Sequence, residues 1–387
     1  MCPCAQKIDV PIRGRSFPAL LSDFQRQLRN ALTCRRSLQL DWSITVTANT
    51  IMPISEALTS SFGPLSTEFP KPPLPYSAKW RFTAKSHTVS SPTPVVRGCC
   101  INSESDRAER RKLRPIDRCL RHPPLPGKEG YDTVSLEVVD LLKGGDGHNS
   151  QVFTVRLLDF ESSSQLLPRK GTMLVAKVYD PLYFDDDEGH LNPFLCVDRY
   201  YTHEANAYMA LSELQGEGIP RYYGSYSLSL SVNSVHTRTV RMILVDHIEG
   251  ITMADAKPVN FAKTIRKSIL KSIVDLESRI FEKDIWLTDL EPRNVMIGSP
   301  DSDRPGVVFI DFAHALFNRR RDDPPLLQLD HFLGEYISPV LRWKEIRGKG
   351  DYFSEWIDWD WDPWLEVEFA HTIPRIKPGM RERWPDD

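Results

Sequence analysis

Three side chains in the second half of this sequence have the types and spacing to do chemistry on a phosphorylated substrate. Asp289 and Asn294 stand five residues apart in Trp286-Leu287-Thr288-Asp289-Leu290-Glu291-Pro292-Arg293-Asn294-Val295-Met296-Ile297, and Asp311 follows the apolar run Val307-Val308-Phe309-Ile310. A carboxylate such as Asp289 can orient a hydroxyl and take its proton. An amide oxygen and a second carboxylate, Asn294 and Asp311, are hard donors suited to Mg²⁺ on phosphate oxygens. Pro292 stiffens the intervening loop by fixing its own φ. Taken singly, Asp289 reads as well as a turn or capping carboxylate, and an Asp terminating a strand is common. The long apolar pattern ahead of Asp289 and the apolar strand ahead of Asp311 tell against those readings.

Groups of this kind need elements to position them. From about residue 131 the sequence predicts strands over Val134–Leu142, Gln151–Leu158 and Thr172–Tyr179, then a helix over Asp198–Leu214 with Tyr201, Ala205, Tyr208 and Leu211 along one side. Two more strands are expected near Tyr222–Leu230 and Arg238–Asp246. Phe261–Phe281 places Phe261, Ile265, Ile269, Ile273, Leu276 and Ile280 at helical spacing, a buried amphipathic helix leading into the Asp289 loop. Lys177 lies inside the strand Leu174-Val175-Ala176-Lys177-Val178, where a buried ammonium needs a partner; an edge strand turning it to solvent is the alternative. Gly145-Asp146-Gly147-His148-Asn149-Ser150-Gln151-Val152 joins two strands, and its backbone N–H groups suit phosphates, although a plain hairpin turn accounts for it equally well.

In this order the segments resemble the protein kinase-like superfamily over roughly residues 133–320. Asp289 to Asn294 is similar to the catalytic loop H-R-D-L-x-x-x-N, Asp311-Phe312-Ala313 to D-F-G, Val175-Ala176-Lys177 to V-A-I-K, and the Gly145 segment to G-x-G-x-x-G-x-V. The resemblance implies a bilobal α+β fold: a small antiparallel β lobe with one helix, then a mainly helical lobe. It implies ATP and Mg²⁺, with Asp289 as catalytic base, Arg293 balancing charge beside it, and Asn294 and Asp311 as metal ligands. Lys177 would hold the nucleotide phosphates, paired with Glu204 on the following helix; Glu213 is a second candidate for that pairing. Gly145, Gly147 and Val152 would cover the nucleotide. Leu244-Val245-Asp246-His247-Ile248-Glu249-Gly250 would be the hinge, with Val245 at the back of the adenine pocket and His247 in the hinge itself.

Several positions depart from that pattern. Leu287 and Thr288 replace the family's His and Arg, Glu291 replaces a common Lys, and Ala313 replaces Gly. Without the Arg, control by a phosphorylated activation segment is not expected. No A-P-E segment is present, and 74 residues follow Ala313. The spacing Asp311-Phe312-x-x-Ala315 is also similar to aminoglycoside- and choline-type phosphotransferases, and the whole to divergent fungal kinase-like proteins. Two functional expectations follow. One is a kinase-like phosphotransferase moving the γ-phosphate of ATP to a hydroxyl on a protein or a small molecule. The other is a degenerate pseudokinase acting as a nucleotide-binding or interaction scaffold.

A chain of 387 residues, 41% apolar and 26% charged, is long enough for one two-lobed domain or two small ones. We expect residues 1–130 to be a basic, Pro/Ser-rich and mostly disordered arm, 131–248 the β lobe, and 249–387 a shortened helical lobe. Residues 1–130 hold 20 Lys and Arg against 10 Asp and Glu, leaving 29 and 42 for the remainder, so the net charge of −3 hides a basic first third and an acidic remainder. Such an arm can stay solvated, fold back on its own domain, or meet membrane or nucleic acid. One helix is predicted within it, near Ala19–Leu32. No apolar run is long enough for a transmembrane helix, and no secretory signal is readable. Seven cysteines without zinc spacing fit a reducing compartment, cytoplasmic or nuclear, with an organellar presequence left open. The clustered tryptophans from Trp343 to Trp384 fit aromatic packing better than a substrate pocket, and Arg319-Arg320-Arg321 reads equally as a solvated loop or a contact for an acidic substrate.

Overall fold

Val134, Leu136 and Val138 alternate along one strand, and all three are buried, because a period of two sends every second side chain to one face. The same alternation repeated over six strands closes an antiparallel barrel. The computed structural model describes residues 69–161, 167–184, 190–298, 306–322 and 332–385, all within one unit, Leu65–Asp387. The predicted helix near Ala19–Leu32 lies outside them.

The first half runs β1 (Arg81–Thr88), α1 (Glu104–Lys112), α2 (Pro115–Arg121), β2 (Lys128–Lys143), β3 (Gln151–Glu161), β4 (Met173–Tyr179), α3 (Pro193–Ala210), β5 (Tyr222–Ser231) and β6 (Thr237–Asp246). The barrel order is β1-β2-β3-β4-β6-β5. Leu174, Ala176 and Val178 of β4 point into its core with Phe153, Val155 and Met242. Lys177 and Tyr179 therefore face the other way, toward α3. That helix begins at an Asn192 cap accepting from the N–H groups of Phe194 and Leu195. It buries Tyr201, Ala205 and Tyr208, as its spacing predicts.

The second half runs β7 (Ile251–Thr252), α4 (Lys263–Glu282), β8 (Ile285–Leu287), β9 (Val295–Ile297), β10 (Val307–Phe309), β11 (Ala315–Phe317), α5 (Pro339–Arg342), α6 (Trp361–Glu368) and α7 (Pro378–Arg383). Two small antiparallel sheets form there, β10-β9-β7 and β11-β8. Helix α4 buries Ile269, Leu270, Ile273, Val274, Leu276 and Ile280, which join the residues of α3 and β10 in one apolar core. Trp343, Trp356, Trp361 and Trp364 are buried in it, as the packing reading has it. The structure is thus α+β, with strands and one long helix first and a mixed, helix-rich part after.

The expectation of a disordered arm reaching residue 130 is overturned for residues 69–130. Strand β1 pairs with β2 from Arg81↔Glu137 to Thr88↔Lys128 and closes the barrel against β5 through Lys85↔Ser227 and Ser86↔Tyr226. The expected boundary at 131 falls inside β2. Beyond β1 the chain runs along α3 and is fastened mostly through its backbone. Asn206 Nδ2 donates to Ser90 O at 2.9 Å, Asn192 N to Cys100 O at 2.8 Å, and Leu125 N to Asp198 Oδ1 at 3.1 Å. Fastening of this kind leaves no apolar period by which it could be read from residue types. This part of the basic arm docks on its own domain.

Candidate active site

Lys177 is the pivot of the site. Its Nζ lies 2.5 Å from Glu204 Oε2 and 2.8 Å from Asp311 Oδ1, joining β4, α3 and the turn after β10. Burial alone would lower this ammonium, but Asp311 and Glu204 outweigh it and hold it above its ordinary value. Burial likewise opposes ionisation of Asp311, yet the Lys177 charge wins and keeps that carboxyl at about 2. Glu204 shifts the other way: its burial and the neighbouring Asp311 charge prevail over Lys177 and raise it. Tyr179 OH also donates to Glu204 Oε2. Two residues past Lys177 on one strand face, Tyr179 was legible by alternation and went unread. Glu213, the rival partner, is exposed and pairs with Lys283 at 2.5 Å.

Asp311 has φ +64°, a left-handed conformation that Asp tolerates because its short side chain can bond nearby backbone. Ala313 N donates to Asp311 Oδ1 at 3.3 Å, closing that local turn. Strand β10 brings Asp311 beside the Asp289 loop: Phe309 pairs with Val295, and Ile310 N donates to Asn294 O at 2.9 Å. Asn294 is buried, and its Nδ2 donates to Asp289 O at 2.8 Å and Oδ2 at 3.2 Å. Arg293 Nη2 reaches Asp289 Oδ1 at 2.5 Å, while its Nη1 donates to Glu291. Asp289, Asn294 and Asp311 line one cleft with Thr288, Phe312 and His314.

His314 is a wall of this cleft that the sequence reading missed. It packs against the Tyr200 ring, centroids 4.8 Å apart, and burial lowers its imidazole against the pull of Asp289 and Asp311. His203, beside Glu204, was missed as well. Its Nδ1 faces Ala315 O at 2.5 Å and its Nε2 faces Thr93 O at 2.8 Å. It thus ties α3 both to the strand after Asp311 and to the segment after β1. Adjacency in sequence to Glu204 and Ala313 was the only signal for either histidine.

The remaining predicted positions are less tightly gathered. Val152 is the ladder partner of Lys177, so the loop before β3 sits at the Lys177 end of the sheet. Gly145 and Gly147 take φ +99° and +85°, which demand glycine. The Gly145 N–H, however, donates to Gln151 Oε1 at 2.7 Å, and Gln151 Nε2 donates back to Gly145 O at 3.1 Å. Val245 is buried on the α3 side of β6 near the Lys177 partner Ile243, whereas His247 is exposed. Arg319 is buried and donates to the carbonyls of Phe281, Phe332 and Glu335, a structural post rather than a contact for substrate.

Among the described residues no group of three or more His, Cys, Asp or Glu side chains could hold a metal ion. A cation caged by protein alone does not fit. One carboxylate, Asp311, and one amide oxygen, from Asn294, do fit Mg²⁺ that takes its other ligands from phosphate and water. No family model and no curated protein matches the sequence.

Proposed function

We propose that the chain is an ATP- and Mg²⁺-dependent phosphotransferase, built on a two-lobed protein kinase-like plan, that moves the γ-phosphate to a hydroxyl. One observation carries this reading: Lys177 is held between Glu204 and Asp311 while Asp311 shares its cleft with Asp289 and Asn294. The Asp311 carboxylate then stands where a phosphate oxygen would sit on Lys177. When the nucleotide binds, Lys177 exchanges that carboxylate for phosphate, and Glu204 and Tyr179 keep its stem aimed. Asp311 and Asn294 would hold Mg²⁺, which would supply positive charge to the phosphate oxygens. Asp289 takes the proton of the acceptor hydroxyl, and Arg293 and Asn294 fix its orientation from either oxygen.

A scaffold reading draws on Gln151, which occupies both backbone groups of Gly145 and withdraws one amide from phosphate binding. The two readings separate in a thermal unfolding experiment on the full chain. With MgATP at a hundred times its Kd, the midpoint should rise by about 5 °C, the equivalent of about 2.7 kcal/mol. The rise should require Mg²⁺ and vanish in Lys177→Met and in Asp311→Asn. Asp289→Asn should keep the rise and lose phosphate transfer by roughly 10²–10⁴-fold. No rise with MgATP would overturn nucleotide binding, and unchanged transfer by Asp289→Asn would overturn the base.

A further inference from the structure

Three cysteines meet where the segment after β1 is fastened to α3. Cys99 and Cys100 belong to that segment, and Cys196 lies in the first turn of the helix. Cys100 Sγ is 3.9 Å from Cys99 Sγ, and its segment meets the turn of α3 that carries Cys196. Arg199, one turn along the helix, donates from Nη1 to Cys99 Sγ at 3.5 Å. The backbone is pinned at the same place by Asn192 N donating to Cys100 O. Cys100 and Cys196 are buried, and Cys99, beside Cys100, is half-buried. A metal site is not what gathers them, since no group of three such ligands among the described residues could hold one.

We propose that this cluster is a site of thiol oxidation, in which a peroxide converts Cys100 and Cys196 into a disulfide that locks the segment to α3. The Cys100 thiolate attacks one peroxide oxygen; the S–O bond forms, the O–O bond breaks, and the departing hydroxide takes a proton to become water. The Cys196 sulfur then attacks the Cys100 sulfenic acid. The S–S bond forms, the S–O bond breaks, and the second hydroxide leaves as water with the Cys196 proton. Two thiols lose two electrons in all, and one hydrogen peroxide becomes two waters.

Arg199, whose Nη1 lies 3.5 Å from Cys99 Sγ, places its charge on the Cys100 side of the pair and favours Cys100 as the attacking sulfur. The hydrogen bond from Cys196 acts first, burial opposes it, and with the help of Arg199 the Cys100 thiol is lowered to about 6. The same hydrogen bond, together with burial, holds the Cys196 thiol well above its ordinary value, so it waits as the resolving partner. Cys119 is an internal control: buried on helix α2, it is pushed up to about 12. The latch would stiffen the helix that carries Glu204, and its formation does not depend on the phosphotransferase reading.

The test uses the reduced full chain at pH 7, treated with hydrogen peroxide, quenched with an alkylating agent and mapped by peptide mass spectrometry. A Cys100–Cys196 cross-linked peptide should appear and disappear again with dithiothreitol, while Cys119 stays reduced. Before peroxide, Cys100 should alkylate at least about tenfold faster than Cys119. In Cys196→Ala, peroxide should stop at a Cys100 sulfenic acid trapped by dimedone. The oxidised wild-type protein should melt at a higher temperature than the reduced one. Alkylation of Cys100 no faster than Cys119, a Cys99–Cys100 bond, or an intermolecular link would each overturn the proposal. The wild-type peptide map decides even if the variant fails to fold.

Discussion

Replacing Lys177 with Met gives the sharpest test of the site, because the side chain holds two carboxylates at once. Glu204 is 2% exposed and Asp311 33% exposed in their side chains, and each lies within 3 Å of the same ammonium. Without the cation, two negative charges face each other at most about 5 Å apart, repelling by about 3 kcal/mol or more at an effective dielectric near 20. The Met stem keeps most of the packing, so this electrostatic loss should dominate. Glu204, already raised by burial, is the group that relieves it by taking up a proton. A folded-state value above the unfolded one means stability present at low pH and lost as pH rises through the folded value. The variant should therefore be about 3 kcal/mol less stable than wild type at pH 8, with the gap closing as pH falls toward the ordinary carboxylate range. Urea unfolding without nucleotide, at several pH values, measures this. The double variant Lys177→Met/Glu204→Gln should recover most of the loss at pH 8. Equal stability at pH 8, or a gap that does not shrink in acid, would refute the buried triad.

Three further outcomes are expected. Glu277 on α4 accepts from Arg342, from Lys349 Nζ at 2.6 Å and from Trp343 Nε1 at 2.9 Å, so Glu277→Gln should destabilise the chain by about 3 kcal/mol in urea unfolding. Burial opposes ionisation there, but Arg342 and Lys349 hold the carboxyl at about 2, below its ordinary 4.5. Its contribution is then full above pH 4.5 and lost as pH falls through 2, and the variant should show a flatter acid limb. In Gly145→Ala the new Cβ meets nothing within 4 Å, so only the strained φ of +99° acts, and thermal unfolding should register a loss of about 1 kcal/mol. Asn206→Ala removes the bonds to Ser90 O and Thr202 O; limited proteolysis should then cut between residues 89 and 127 sooner, with a loss of about 1–2 kcal/mol.

Much of the framework was legible because its elements carry strong periods. Strands β3 to β6 and helix α4 appear where alternation or 3.6-residue spacing puts them, to within three residues at their ends, while β2 begins six residues and α3 five residues before its expected start. Strand β1 was missed: its buried positions include Ala84 and His87, too small or too polar to register as an apolar alternation. The run after it was missed because carbonyls and amides fasten it, and every residue type carries those. Arg319 was misread for the opposite reason, since a run of three arginines looks solvated until carbonyls are placed around one of them.

Residue types and spacing set out the candidate groups: an Asp and an Asn five residues apart, an Asp after an apolar strand, and a Lys inside one. Residue type and local period are written in the chain, so strands, helices and candidate donors can be read from it. Tertiary structure alone decided that Lys177 pairs with Glu204 and not Glu213, and that Asp311 shares the same ammonium. It decided too that the segment after β1 lies along α3, bringing Cys100 of that segment to Cys196 of the helix. Those partners are distant in sequence, and only packing, with the burial it imposes on each charge, determines which of them meet.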